Sequence, residues 1–485
     1  MENPTPSPAA RPRAARGRRW LLLATLLPAA LAARTPATEA PTGVINVGQA
    51  DLTAQHWIAR LPEPDRVILD RAAIDVQNAR MRAQDASIVD IAALPDPLPA
   101  ALVRTKIEAL SAPPTRVLYD ERGQAVAAGE LAALQHELAL DAIPPTRPLR
   151  FGLVVHRADL RAFPTRMRVF TSANDTDIDR FQESALFPGD AVAVLHESTD
   201  RQWLLVASER YTAWIQARHV ALGTRDAVLG YARRAPYVVV TGATVRTTFT
   251  PEEPRVSALQ LDMGLRLPLR GDWPPMQLVN GQHAHASHVV ELPVREADGR
   301  LAFAPALVPK VADVSADYLP LTPANLLRQS FKFLGERYGW GHSYDARDCS
   351  GFVSEVYRSF GVLVPRNTRD QAVSPALDRI GFSKEQGHDA RMPAVRALQV
   401  GDLVYIPGHV MMAIGHQDGL AYMIHDTNGG SWTGAEGQRV RAGLNGVSVT
   451  PLEPMLFSDT GTYVDHMTSI QRMRPRSGEG TSRTP

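Results

Sequence analysis

A chain of 485 residues, 44% hydrophobic and 21% charged, has the composition of an ordinary folded protein and exceeds the roughly 250–300 residues one core organises, so several domains are expected. Residues 1–33 hold five Arg and one Glu, and without them the formal net charge moves from +1 to −3, which excludes the basic balance of a nucleic-acid binder. The single cysteine, Cys349, excludes an internal disulfide and leaves stability to packing.

Arg11, Arg13, Arg16, Arg18 and Arg19 precede the apolar run "WLLLATLLPAALAA", which closes on Ala30-Leu31-Ala32. That is the pattern of a secretory signal peptide over 1–33, and it predicts an exported protein of the periplasm or cell envelope. The run is short for a bilayer and is interrupted by Pro28, so no stable membrane span is expected after cleavage. With no cysteine near the cleavage site, a lipid-anchored form is excluded. Residues 34–43, rich in Pro, Thr and Ala, read as a linker.

Apolar residues then recur at three- and four-residue spacing in "DRVILDRAAIDVQNARMRAQ" and "GELAALQHELALDAI", predicting a small helical domain over 44–149. At 150 the texture changes. "FGLVVHR", "DAVAVLHES", "QWLLVAS" and "YTAWIQA" are short β-prone runs between turn signals, which predict a small barrel over 150–222. "YVVVTGATVRTT", "MGLRLPLRG" and "HVVELPVREADGRLAFAPA" repeat that texture and predict a second barrel over 223–310. Within it, "GQHAHASH" gathers His283, His285 and His288. Imidazoles bind zinc, but no carboxylate or thiol adjoins them and Gly281 and Ser287 mark a surface loop, so no metal is expected. Residues 320–473 carry a mixed α+β pattern, and 474–485, "RPRSGEGTSRTP", have the composition of a disordered tail.

After Cys349, residues Phe352, Val353, Val356, Tyr357 and Phe360 fall at helical spacing, and Gly361 with Pro365 supplies the stop. Cys349 therefore opens a buried helix, capped by Asp348 or Ser350, where free N–H groups and the helix dipole favour a thiolate and can hold an oxyanion. A thiol nucleophile needs a base and a group that orients the base. Both are available downstream, where "HVMMAIG" and "LAYMIHDT" read as strands of a hairpin. With a three-residue turn at Gln417-Asp418-Gly419, residue 411 faces 425, and His409 and His425 are diagonal neighbours about 7–8 Å apart at Cβ. With a two-residue turn at Asp418-Gly419, His409 faces Asn428, which then becomes the orienting residue.

"FLGERYGWGHSYDARDCSGFVSEVYRSFGVLVPRNTRDQA", "GDLVYIPGHVMMAIG" and "YMIHDTNG" resemble the NlpC family of bacterial cell-wall cysteine peptidases over about residues 325–465. The resemblance implies a papain-like α+β domain with Cys349 as nucleophile, His409 as base and His425 as orienting residue, without cofactor or metal. "RADLRAFPT", "LFPGDAVAVLHESTDRQWLLVASERYTAWI" and "DMGLRLPL" are similar to a subgroup with a helical N-terminal clip domain and two bacterial SH3-like barrels. That subgroup implies a monomer acting on peptidoglycan stem peptides (muropeptides), cutting the γ-D-glutamyl bond to the diamino acid when L-alanine has a free amino terminus. It implies Asp348, Ser350, Tyr338 and Tyr211 as substrate-binding residues, with Thr368 where a Ser is usual. The barrel acid is left among Asp175, Asp177, Asp179 and Glu183. His342, where the subgroup has Gly, and Ala213, before Trp214, depart from its pattern. The same Cys349, His409 and His425 also suit a thiol acyltransferase or amidase, or a zinc site, and SH3-like barrels by themselves suit a peptidoglycan-binding module. For Asp348 the plain alternative is a helix cap and nothing more.

Overall fold

The computed structural model describes residues 41–475; the expected signal peptide, most of the linker and the tail from 476 lie outside the described residues. The N-terminal helices are α1 (Ala54–Ile58), α2 (Arg71–Gln84), α3 (Ala100–Leu110) and α4 (Ala128–Glu137). Asp70 caps α2 by accepting from the Ala73 N–H, which satisfies one of the four free donors of the first turn. These helices share no core of their own. Trp57, Ile74 and Met81 pack with Phe352, Val356 and Ile414, whereas Val103, Ile107 and Leu134 pack with Phe151, Leu205 and Trp214. The self-contained helical domain expected over 44–149 gives way to two halves serving different neighbours, because each short amphipathic helix has one apolar face and must bury it against another element.

Residues 150–223 form a seven-stranded antiparallel sheet in the order Gln182–Leu186, Ala158–Arg161, Thr212–Gln216, Trp203–Ala207, Ala191–Glu197, Arg150–Val154, Val220–Gly223. Trp214 is fully buried, and its indole N–H donates to Ser111 Oγ at 3.1 Å. Helix α5 (Arg225–Tyr231) leads into three short sheets around Val240, Leu261, Leu267, Leu292 and Val308. Their last strand, Val314–Ser315, pairs with Tyr237–Val240, so this β region runs past the expected limit at 310.

The C-terminal part opens with α6 (Pro323–Phe331), capped by Thr322 with Pro323 at its first position, where a missing N–H costs nothing. Helices α7 (Cys349–Arg358), α8 (Thr368–Val373) and α9 (His388–Arg396) follow. They accompany a six-stranded antiparallel sheet ordered Asp378–Gly381, Ser469–Arg472, Leu403–Ile406, His409–Gln417, Leu420–Thr427, Gly446–Pro451. Every residue of α7 from Cys349 to Tyr357 is buried; its apolar side meets the sheet. At its end Gly361 takes φ +73°, and Val362 donates to the Tyr357 carbonyl, a helix stop that needs the left-handed conformation. No described helix is long and apolar enough to cross a membrane.

Candidate active site

Cys349 is 6% exposed, with Sγ 3.5 Å from Thr368 Oγ1 at the start of α8. Burial, and then the Asp348 charge, push its thiol up to about 12, while Thr368 and the Val410 N–H pull the other way. Burial thus works against the thiolate expected from the helix dipole, because dehydration of a buried sulfur opposes the half-charge at the helix end. A neutral thiol needs a base that takes its proton as it attacks.

His409 stands beside Val410 on the strand that crosses α7. Its Nε2 lies 2.6 Å from His425 Nδ1, and His425 Nε2 lies 2.9 Å from Thr450 Oγ1. The two rings meet in the local register expected of the three-residue turn, but it is reached through the other turn and a bulge. Gln417 pairs with Leu420 across a two-residue turn in which Asp418 and Gly419 have φ of 51° and 82°, as a type I′ turn requires. A bulge between Ala413 and Gly415 then shifts the ladder, so Met412 pairs with Ile424 and His409 becomes the diagonal neighbour of His425. A Cβ at Gly415 would lie 2.9 Å from the Trp57 ring, which accounts for glycine at the bulge. Asn428 is exposed at the strand end.

Asp348 caps α7: its Oδ1 accepts from Gly351 N, Ser350 Oγ and Arg366 Nη1, and its Oδ2 from Arg366 Nη2 and Gly341 N. Burial works against the charge, but Arg366 and these donors hold the carboxyl at about 2. Arg366 in turn places all five of its N–H groups, the remaining ones on Ser184 Oγ, Ser350 Oγ and His342 Nδ1. A guanidinium only donates, so His342 Nδ1 is unprotonated and its Nε2–H donates to Glu355 Oε1 at 2.9 Å. His342 is 2% exposed, at φ +66°, inside an ion network that continues through Glu355 to Arg347 and Asp262. Arg366 and Thr450 had no assigned role in the sequence. The only mark of Arg366 is its place in Pro365-Arg366-Asn367, and nothing local marks Thr450, which meets His425 across strands.

Tyr338 is 7% exposed, and burial, then Cys349 and Asp348, raise its phenol well above the ordinary value. From the seven-stranded sheet, Tyr211 donates its hydroxyl to Glu183 Oε2. Both feel the Arg366 charge, and Tyr211 that of Asp348 as well, while Ser184, next to Glu183, accepts directly from Arg366 Nε. Of the four acids left open, Asp179 is held by Arg161 at 2.5 Å, Asp177 by Arg337 at 2.6 Å, and Asp175 accepts from a backbone N–H of its own turn. Glu183 alone of the four pairs with Tyr211. His283 and His285 lie in an exposed single turn, and no described group of His, Cys, Asp and Glu is arranged to hold a metal. Ala213 is fully buried in its strand.

Burial holds His409 down to about 4 and keeps His425 and His342 well below the ordinary imidazole value. Each binds fewer protons folded than unfolded once the pH falls below about 6.5, so stability is lost on acidification from there toward about 4, with a slope of about 1.4 kcal/mol per pH unit for each ring. Urea midpoints at about pH 5 should fall clearly below those at about pH 7; equal midpoints would contradict neutral burial of these rings.

Residues 168–216 match the SH3 domain (SH3b1 type), and residues 335–437 match the NlpC/P60 family. A gamma-D-glutamyl-L-lysine dipeptidyl-peptidase of Bacillus cereus is 27% identical over 290 residues, covering 56% of this chain and 75% of the relative. The solved NlpC/P60 endopeptidase of Photobacterium damselae subsp. piscicida superposes with a TM-score of 0.69 over 86% of this chain and 96% of that one, at 18% identity, so the overall fold is shared. The stretch that matches the family model carries both the helix that begins at Cys349 and the hairpin that joins the two imidazoles; on these matches the chain carries a domain of the NlpC/P60 cell-wall peptidase family, with an SH3b domain ahead of it.

Proposed function

We propose that the protein is an exported cysteine endopeptidase that hydrolyses the γ-D-glutamyl bond to the diamino acid in peptidoglycan stem peptides bearing a free amino-terminal L-alanine. The observation that carries this reading is the hydrogen-bonded line from His409 through His425 to Thr450 beside the Cys349 thiol. His409 Nε2–H donates to His425, which leaves Nδ1 as the base. His409 takes the thiol proton as Sγ attacks the γ-glutamyl carbonyl, and the N–H groups at the start of α7 receive the oxyanion. The C–N bond breaks as the leaving amine takes the proton from His409. Water, deprotonated by the same ring, then hydrolyses the thioester. The name of the Bacillus relative supports the bond class. In this reading residues 44–149 serve as the clip region and 223–310 as a second SH3-like barrel, with the chain acting as a monomer.

Selectivity for a free amine is assigned to Glu183, Tyr211, Ser350 and Tyr338, with Thr368 beside the thiol. Asp348 already accepts five hydrogen bonds and its charge is offset by Arg366, so it serves the substrate ammonium by orienting Ser350 rather than by an open lone pair. Glu183 has a single phenol on it, and a half-buried carboxylate of that kind is left poorly paired when an amide replaces the ammonium. Defined muropeptides followed by mass spectrometry test both points. Free L-alanyl-γ-D-glutamyl peptides should be cut and muramic-acid-linked ones left intact. Glu183→Gln should raise KM about tenfold or more on the free peptide, and Asp348→Ala should raise KM or lower turnover, neither gaining on the linked one. Digestion of intact sacculi as fast as free peptides would remove the gatekeeping role, and an amine-transfer product in place of the acid would favour the acyltransferase reading.

A further inference from the structure

Arg358 lies about half a turn round α7 from Cys349 and faces a separate cavity of about 570 Å³, walled by α2, the seven-stranded sheet, the end of α5 and the second β region. Five arginines and three carboxylates line it, a net of +2. The carboxylates are committed: Asp190 binds Arg358 Nη2 at 2.9 Å, Glu209 binds Arg82 at 2.7 Å, and Asp90 caps a short turn at Ala92. Arg210 is half-buried and makes no hydrogen bond or ion pair to any described residue. Arg358 Nη1 is buried with no acceptor. Burial, and then the Arg358 charge, push the Arg210 guanidinium down to about 10, the direction of a cation short of negative charge. A guanidinium cannot shed its proton at neutral pH and presents a planar fork suited to carboxylate or phosphate oxygens. Arg210 has no ionic partner among the described residues and the buried Arg358 Nη1 no acceptor, so an anion in the cavity would give both guanidinium groups oxygens to hold.

We propose that this cavity binds a small oxyanion, a phosphate ester or a polycarboxylate, whose oxygens take the N–H groups of Arg210 and neutralise the Arg210–Arg358 pair. The volume suits a metabolite-sized ligand. The site does not depend on what the Cys349 cleft cleaves.

Calorimetric titration of the whole chain with pyrophosphate and, separately, with citrate, at constant ionic strength, tests the proposal. Saturable one-to-one binding of either is expected, pyrophosphate alone marking a phosphate-ester site and citrate alone a polycarboxylate site. Arg210→Gln should weaken it by about tenfold or more, and Arg210→Lys by less, since the charge stays while the fork is lost. In anion-free buffer Arg210→Gln should melt at or above the wild-type temperature, because it deletes an unpaired cation. Absence of binding by both probes, an unchanged isotherm in Arg210→Gln, or a lower anion-free melting temperature in that variant would overturn the proposal.

Discussion

Cys349→Ala is expected to lose about a thousandfold or more in turnover of free stem peptides while melting close to the wild type. The sulfur is the only group that can form the thioester, and no other cysteine exists to replace it. The structural cost is small because the cap of α7 does not use the thiol: Asp348 holds Gly351, Ser350 and Arg366 through its own carboxylate. What disappears is the Sγ contact with Thr368 and a little buried volume. The variant should also still bind the peptide, so calorimetry beside mass spectrometry separates a lost nucleophile from a lost fold. Wild-type-like cleavage would end the cysteine-peptidase reading, and binding without turnover in both proteins would favour a binding module.

His425→Ala should cost about a hundredfold to ten-thousandfold, and Asn428→Ala no more than severalfold. His409 acts as a base only while the ring nitrogen on the thiol side is free of a proton. The 2.6 Å contact with His425, itself held by Thr450 at 2.9 Å, keeps the proton on the other nitrogen. Without His425 the ring samples both tautomers and loses its orientation. Asn428 is exposed, so its removal leaves that chain of bonds whole. Rates for the two variants on one peptide decide the matter: a larger loss in Asn428→Ala would mean that the bulge at Ala413–Gly415 does not set the register in solution.

Much of this molecule is legible along the chain because its determinants are local. The apolar spacing after Cys349 specifies α7, Asp348 stands one residue before it as a cap, and the β-prone runs from Arg150 onward mark the strands of the first sheet. The family resemblance rests on the same contiguous motifs. The hairpin shows where local reading stops. Asp418-Gly419 marks a turn without fixing its length, and the bulge that returns His409 to His425 arises where Gly415 meets Trp57, a residue of α1 more than three hundred and fifty positions away. Neither residue announces the other.

Long-range pairing also decided the charges. A cysteine at a helix start reads as a thiolate until burial and Asp348 are known, and Asp348 reads as an open carboxylate until Arg366 and Gly341 are seen to occupy it. His342 looks like a lone substitution in a loop, yet it accepts from Arg366 and donates to Glu355 in the buried interior. Glu183 stands apart from the other three acids only once Tyr211, just ahead of a different strand, is seen to donate to it. The division into domains changed for the same reason: periodicity shows an apolar face on α2 and on α4, and only the packed molecule shows that α2 turns its face to the peptidase core and α4 to the first sheet. Helix spacing, caps and turns are set by neighbours within about four residues. Protonation states, hydrogen-bond saturation and the partner of an apolar face depend on which distant segments exclude water from one another, and that is decided by tertiary structure alone.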